Sequence, residues 1–153
     1  MDLILRGATL PDGRTGIDIA VKDGKIMAVE ANIGARAARE NDAAGRLVTP
    51  PFVDAHFHMD ATLTYGYPRY NQSGTLMEGI ELWRDLKPNL GHDWYVERAL
   101  EYCDWAVGRG LLAIRSHVDT TDPTLGGVAA LVEVREQIKD YIDLQLVAFP
   151  QDG

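Results

Sequence analysis

Asp54, His56, His58 and Asp60 stand at alternate positions of one short segment. The segment, Pro51-Phe52-Val53-Asp54-Ala55-His56-Phe57-His58-Met59-Asp60, reads as an apolar strand that ends in a His-x-His pair. Residues i and i+2 of a strand point the same way. Those four polar residues therefore share one face, and Val53, Ala55, Phe57 and Met59 share the other. Two adjacent imidazoles at the end of an apolar strand suit the binding of a transition-metal ion. Metal-assisted hydrolysis is the chemistry that follows, since a bound ion lowers the pKa of water to about 7. Two histidines leave such a site incomplete. Satisfied structural histidines at a strand end are the competing reading. Asp54 and Asp60 either orient the imidazoles from behind or cap loop amides.

His117 and Asp119 repeat the pattern after a second apolar run, Leu111-Leu112-Ala113-Ile114. They are candidates for supporting or lining the same site, as is Asp60. A hydrogen-bonded histidine at a packed strand end is an equal alternative for His117. Gln151 carries an amide donor and acceptor that suit a heterocycle edge, although a loop glutamine is usually only solvated. Trp83, Trp94 and Trp105 fall on expected helices and read as packing residues. Cys103 lies on an apolar helix face, the place of a buried, inert thiol. Tyr65, Tyr67 and Tyr70 either roof a pocket or form an oligomer contact.

These residues need elements to position them. Residues 1–49 read as a small β-domain: Leu3-Ile4-Leu5, then the alternating run from Ile17 to Val21, the turn Asp23-Gly24, and a return strand from Lys25 to Glu30. Asp-Gly between alternating runs is a hairpin signal because glycine accepts positive φ. Residues 31–46 read as a looser stretch. Leu47-Val48 resumes an extended run that Pro50-Pro51 interrupts. From residue 50 to 153 strands alternate with helices. The strand from Phe52 to His58 is followed by a polar, aromatic loop. Thr75 and Glu78 have capping-box spacing, ahead of a helix with Leu76, Ile80, Trp83 and Leu86 on one face. A second helix starts near Asp93, carries Val96, Ala99, Leu100, Cys103 and Val107 inward, and stops at Gly110. A third spans about Thr124 to Lys139, with Leu131, Val134 and Ile138 inward. A third strand runs from Ile142 to Phe149.

Alternating β and α imply a parallel sheet. Each strand ends in polar residues: His56 and His58, His117 and Asp119, Gln151 and Asp152. The expected class is α/β, a (β/α)8 TIM barrel of which the first three strands are present, beside a small N-terminal β-sandwich part. In such a barrel the site lies at the C-terminal strand ends. Three parallel strands alone leave both edges open, so the chain reads as the first third of a larger structure.

Composition bounds the alternatives. The chain has 153 residues, 46% hydrophobic and 25% charged, as in ordinary globular proteins. Its net charge of -8, without clustered Lys and Arg, argues against nucleic acid as a partner. No apolar run approaches the ~20 residues of a membrane span. The sequence opens with Met1-Asp2-Leu3-Ile4-Leu5-Arg6 rather than a basic and then apolar leader. With a single cysteine, a reducing, cytoplasmic setting is expected.

Taken together, these motifs resemble the amidohydrolase superfamily and, within it, the bacterial cytosine deaminases. The resemblance covers essentially the whole chain. It rests on Lys22-Asp23-Gly24-Lys25, Thr49 through Asp60, Asn71-Gln72-Ser73-Gly74-Thr75-Leu76, Arg115-Ser116-His117-Val118-Asp119 and Phe149-Pro150-Gln151-Asp152-Gly153. The related N-isopropylammelide amidohydrolases share the layout and lack the third-named and last-named signatures, those around Leu76 and Gln151. The resemblance implies one divalent metal ion, iron or zinc, with His56 and His58 as its first two ligands. The remaining histidine and aspartate ligands, the proton-shuttling glutamate and a catalytic histidine would lie beyond Gly153. Gln151 matches a glutamine that hydrogen-bonds the pyrimidine, and Leu76 a residue whose backbone contacts the substrate. The implied reaction is attack of an activated hydroxide on C4 of a cytosine-like ring with loss of ammonia. A triazine, isoguanine or creatinine-like ring is the alternative small-molecule substrate, and a homo-oligomer is implied. A non-catalytic fragment, or one part of a split protein, is the alternative of another class.

Overall fold

The computed structural model describes residues 1–151. It falls into two compact units, one ending at Pro50 and one starting at Pro51.

In the first unit, β1 (Leu3–Ala8), β2 (Ile17–Lys22), β3 (Lys25–Ala31) and β4 (Arg39–Asp42) form one sheet in the order β3-β2-β1-β4. Strands β2 and β3 make the expected hairpin. Lys22 pairs with Lys25, and Asp23 and Gly24 both take positive φ (50° and 72°). Two left-handed residues in a two-residue loop match the right-handed twist of the strands. The stretch expected to be loose instead contains β4, parallel to β1 from Leu3↔Arg39 to Arg6↔Asp42. Its sequence, Arg-Glu-Asn-Asp, is exposed throughout and carries no alternation to read. Pairing and charge hold it: Arg6 donates to Glu40 at 3.0 Å and to Asp18 at 2.8 Å. Ala8, Leu10, Ile17 and Ala43 form the small core beneath.

The second unit contains β5 (Phe52–Phe57), α1 (Leu76–Leu86), α2 (His92–Gly108), β6 (Leu111–Asp119), α3 (Gly126–Ile138) and β7 (Asp143–Phe149). Short 3₁₀ turns follow β5 (Met59–Ala61) and α1 (Lys87–Asn89). The strands pair in parallel in the order β5-β6-β7. Ile114, Ser116 and Val118 of β6 are buried with Ala99, Cys103 and Ala106 of α2 and Leu131, Val134 and Ile138 of α3. This is the inward face expected for those helices, except that Val107 is exposed. Gly110, with φ 78°, turns the chain from α2 into β6. The architecture is mixed α/β with two sheets, and a closed barrel is not among the described residues. Asp152, the last of the expected polar strand-end residues, lies outside the described residues, as does Gly153. No helix among the described residues is long and apolar enough to cross a membrane.

Candidate active site

The ends of β5, β6 and β7 gather three imidazoles. The ring centroids of His56 and His58 are 5.4 Å apart. His117 stacks on His56 at 4.1 Å and lies 5.9 Å from His58. This follows from the pleat: Ile114, Ser116 and Val118 face the helices, so His117 projects to the other side of the sheet. The strict alternation expected along β5 is broken, because its pairing with β6 slips between Asp54 and Phe57. At the slip the Asp54 carboxylate accepts the His56 N–H at 3.1 Å, a local loop-type bond. Phe57 and Met59 still pack into the core as read, Phe57 against Tyr102 with centroids 4.4 Å apart.

The three rings are not fully occupied. His117 Nδ1 is buried with no hydrogen-bond partner. Burial, followed by the neighbouring His56 and His58, pushes the His117 pKa down. Clustered imidazoles are a donor set that suits zinc or ferrous iron. Among the described residues, no group of three or more His, Cys, Asp or Glu is arranged to hold a metal ion.

The candidate supporting carboxylates are both engaged. Asp60 Oδ2 accepts the Asp119 N–H at 2.8 Å and its Oδ1 accepts the Ala61 N–H at 3.1 Å. Burial raises the Asp60 pKa, against the pull of that Asp119 N–H and of nearby His58. Burial acts in the same sense on Asp119, yet Lys87 and Thr121 hold its pKa below the ordinary value. Lys87 Nζ lies 2.7 Å from Asp119 Oδ2, and Thr121 Oγ1 donates to Asp119 Oδ1 at 2.6 Å. Both carboxylates accept backbone N–H groups, the amide-capping alternative given above for Asp60.

Beside the rings lies a cleft of about 230 Å³ lined by His58, Asp60, Ala61, Leu76, Gly79, Ile80, Trp83 and Gln151. One expected ligand and both expected substrate-contacting residues, distant in sequence, meet there. His56 and His117 are not among its lining residues. The face of α1 read as core-facing, Leu76, Ile80 and Trp83, is instead the cleft wall. Leu76 is 78% exposed, and Leu82 is the one buried residue among the described residues of α1. Trp83 packs between helices as assigned, edge-on to Tyr95 of α2 with centroids 6.2 Å apart, and it also lines the cleft. Its spacing from Leu76 along one helical face was the available signal. Phe149 was also missed: it meets His58 edge-on at 5.1 Å and His117 at 6.0 Å. Its two-residue spacing from Gln151 at the strand end was the clue.

The loop before α1 presents Leu76. The Thr75 hydroxyl accepts the Glu78 N–H at 3.3 Å, as the capping-box spacing predicts. Glu78 does not return the bond to the Thr75 N–H. Its carboxylate collects the Ser73 N–H at 2.6 Å, the Ser73 hydroxyl at 2.5 Å and the Gln72 N–H at 3.0 Å, and it pairs with Arg69. The Ser73 hydroxyl and Arg69 are the largest causes that bring the Glu78 pKa down to about 2. Asn71 adds a clasp, accepting the Gly74 N–H at 2.8 Å and donating to the Thr75 carbonyl at 3.0 Å. The Asn-Gln-Ser-Gly-Thr segment is thus a folded mount for the first turn of α1.

Comparison with known proteins adds to this geometry. The amidohydrolase family profile matches residues 39–153. The structure is similar to 5-methylcytosine deaminase from Klebsiella pneumoniae, solved with phosphonocytosine, with a TM-score of 0.89 and 40% identity over 98% of this chain and 37% of that one. By sequence it is 34% identical to N-isopropylammelide isopropyl amidohydrolase of Pseudomonas sp. (strain ADP), over 99% of this chain and 39% of the relative. N-isopropylammelide isopropylaminohydrolase from Burkholderia multivorans is similar at TM-score 0.78 and 26% identity, over 100% of this chain and 39% of that one. The chain therefore spans less than two fifths of the length of each of these relatives.

Proposed function

Because the chain belongs to the amidohydrolase family, we propose that the whole protein is a metal-dependent hydrolase that deaminates cytosine or a closely related heterocycle. The observation that carries this reading is the cleft that joins His58 to Leu76 and Gln151. Beside its His58 end, His56 and His58 would hold one divalent ion, iron or zinc, with further ligands supplied from outside the described residues. That ion, when bound, polarises the ring and activates water. This chain's own part is to bind and orient. The Gln151 amide donates to and accepts from the ring edge, Leu76 offers its backbone at the mouth, and Ile80 and Trp83 exclude water from the apolar side. His117, stacked on His56, fixes that ring from behind, while Asp60 and Asp119 hold the strand ends that carry it.

A second reading keeps the reaction class and changes the ring to a triazine. The sequence similarity to N-isopropylammelide isopropyl amidohydrolase supports it. Ammonia release from cytosine and 5-methylcytosine, against alkylamine release from N-isopropylammelide, separates the two when assayed on metal-loaded full-length protein. Full metal occupancy with no release from any pyrimidine rejects the first reading. An intact-mass measurement of the native polypeptide comes first. If these 153 residues are all of it and no partner supplies ligands, neither tight metal binding nor turnover is expected.

A further inference from the structure

The helix that forms the cleft wall is thinly packed. Among the described residues of α1 only Leu82 is buried, while Leu76 and Met77 at its start are exposed. Apolar burial is the usual means of fixing a helix against a sheet, and one buried side chain supplies little of it. Beyond the edge-on contact of Trp83 with Tyr95 of α2, a further tie would set where Leu76 and Ile80 stand relative to the histidine strand.

The residue after the helix is Lys87. Its side chain is 10% exposed and that of Asp119, at the end of β6, is 4% exposed; Nζ and Oδ2 are 2.7 Å apart. Lys87 also donates to Thr121 Oγ1 at 2.8 Å, and Thr121 donates to Asp119 Oδ1, closing a triangle. From Asp119 the chain of contacts continues. Its N–H reaches Asp60 Oδ2, and Asp60 is two residues from His58. The Asp60 carbonyl in turn accepts from Arg98 of α2 at 3.3 Å, and the Thr62 carbonyl accepts from the same guanidinium. Arg98 is held over the Trp94 ring, 3.2 Å from its centroid. A single run of buried polar contacts thus joins the C-terminal end of α1 to the turn that follows the histidines.

We propose that Lys87 is a positioning residue for substrate binding: through its buried pair with Asp119 it sets the distance between the α1 wall and the His56–His58 strand end. A buried pair across two elements has the geometry for this. Its strength falls steeply with separation in a low-dielectric setting, and loss of one partner leaves an uncompensated buried charge. The inference rests on the functional reading above, because it assigns the wall to the ring. Lys87 is not among the residues that line the cleft.

The test uses the metal-loaded full-length protein and three variants: Lys87→Met, Lys87→Arg, and the double variant Lys87→Met/Asp119→Asn. Backbone hydrogen exchange over residues 76–86 is read together with KM, kcat and metal content. In Lys87→Met, exchange in α1 and KM for the ring each rise about tenfold, the worth of one charged hydrogen bond, while kcat and metal content hold. Lys87→Arg restores most of both. The double variant removes the orphaned carboxylate, so it refolds any stability lost in Lys87→Met, yet its α1 exchange and KM stay raised because the tether is still missing. Unchanged α1 exchange and KM in either folded Met variant would overturn the proposal. So would a fall in metal content parallel to the rise in KM, since that would place Lys87 in support of the ligands. If the wild type acts on no heterocyclic amine, the functional reading fails by itself, and the exchange data still decide whether the tether exists.

Discussion

Ser116 interrupts the core-facing row of β6, between Ile114 and Val118, where an aliphatic side chain would ordinarily stand. Its hydroxyl accepts the Met59 N–H at 2.9 Å. Ser116 is 0% exposed and Met59 is 1% exposed, so water does not compete for the bond. Met59 directly follows His58, at the point where β5 ends and the 3₁₀ turn begins. The hydroxyl therefore anchors the backbone that aims the second imidazole. Replacing Ser116 with Ala keeps the volume nearly constant and removes the acceptor. A buried N–H left unpaired costs about 1–3 kcal/mol, and we take about 2 kcal/mol for this site. With a urea m-value of about 2 kcal/mol/M, the unfolding midpoint falls by about 1 M. The loosened turn also lowers metal affinity, by about tenfold if it behaves as outer-shell partners generally do. Equilibrium urea unfolding followed by circular dichroism measures the first effect, and competition with a chromophoric chelator on the full-length protein measures the second. A midpoint shift under about 0.3 M would refute the reasoning, because it would mean that Met59 N–H finds another partner at no cost.

His58→Ala in the full-length protein removes the bound divalent ion, read as metal per chain by mass spectrometry, and unchanged metal content rejects its role as a ligand. Glu78, whose pKa is brought down to about 2 from 4.5, stabilises the fold in its ionised form. Its contribution is complete above the unfolded value and is lost as pH falls toward 2. The stability difference between wild type and Glu78→Gln therefore shrinks across that window, and a difference that grows on acidification contradicts the assignment. Cys103 is fully buried and burial pushes its thiol up to about 11. An aromatic disulfide reagent should leave it untouched in the native protein and titrate it only in denaturant, and rapid native labelling would show that α2 opens.

Much of this architecture is legible in the sequence because hydrophobic period dominates where burial is one-sided. Leu131, Val134 and Ile138 declare α3 in that way, and all are buried. Asp23-Gly24 declares its turn because few other pairs tolerate two positive φ values. The misreadings share one cause. Strand β4 has no apolar residue to reveal it, since its partner β1 and Arg6 supply the binding energy. The apolar face of α1 has the helical period of a core face but no core opposite it, because period reports what a face is made of and not what covers it. Glu78 sits at the capping-box position and spends its carboxylate on the preceding loop, because Ser73 and Gln72 offer amides closer than Thr75 does.

The polar residues at the strand ends divide by whether their bonding capacity is spent. Asp60 and Asp119 look from sequence like partners for the histidines, and each is engaged by backbone N–H groups, a hydroxyl or Lys87. A carboxylate so committed is costly to recruit elsewhere, since every bond withdrawn leaves a buried group unpaired. The imidazoles differ. His117 keeps a buried, unpartnered Nδ1, and His56 is exposed and stacked on it. A strand end that commits its acids and leaves one buried imidazole nitrogen unpartnered treats the two residue types differently. The contrast bears on His117 first: a histidine serving only to pack a strand end would be expected to pair both ring nitrogens, as Asp60 and Asp119 pair their oxygens.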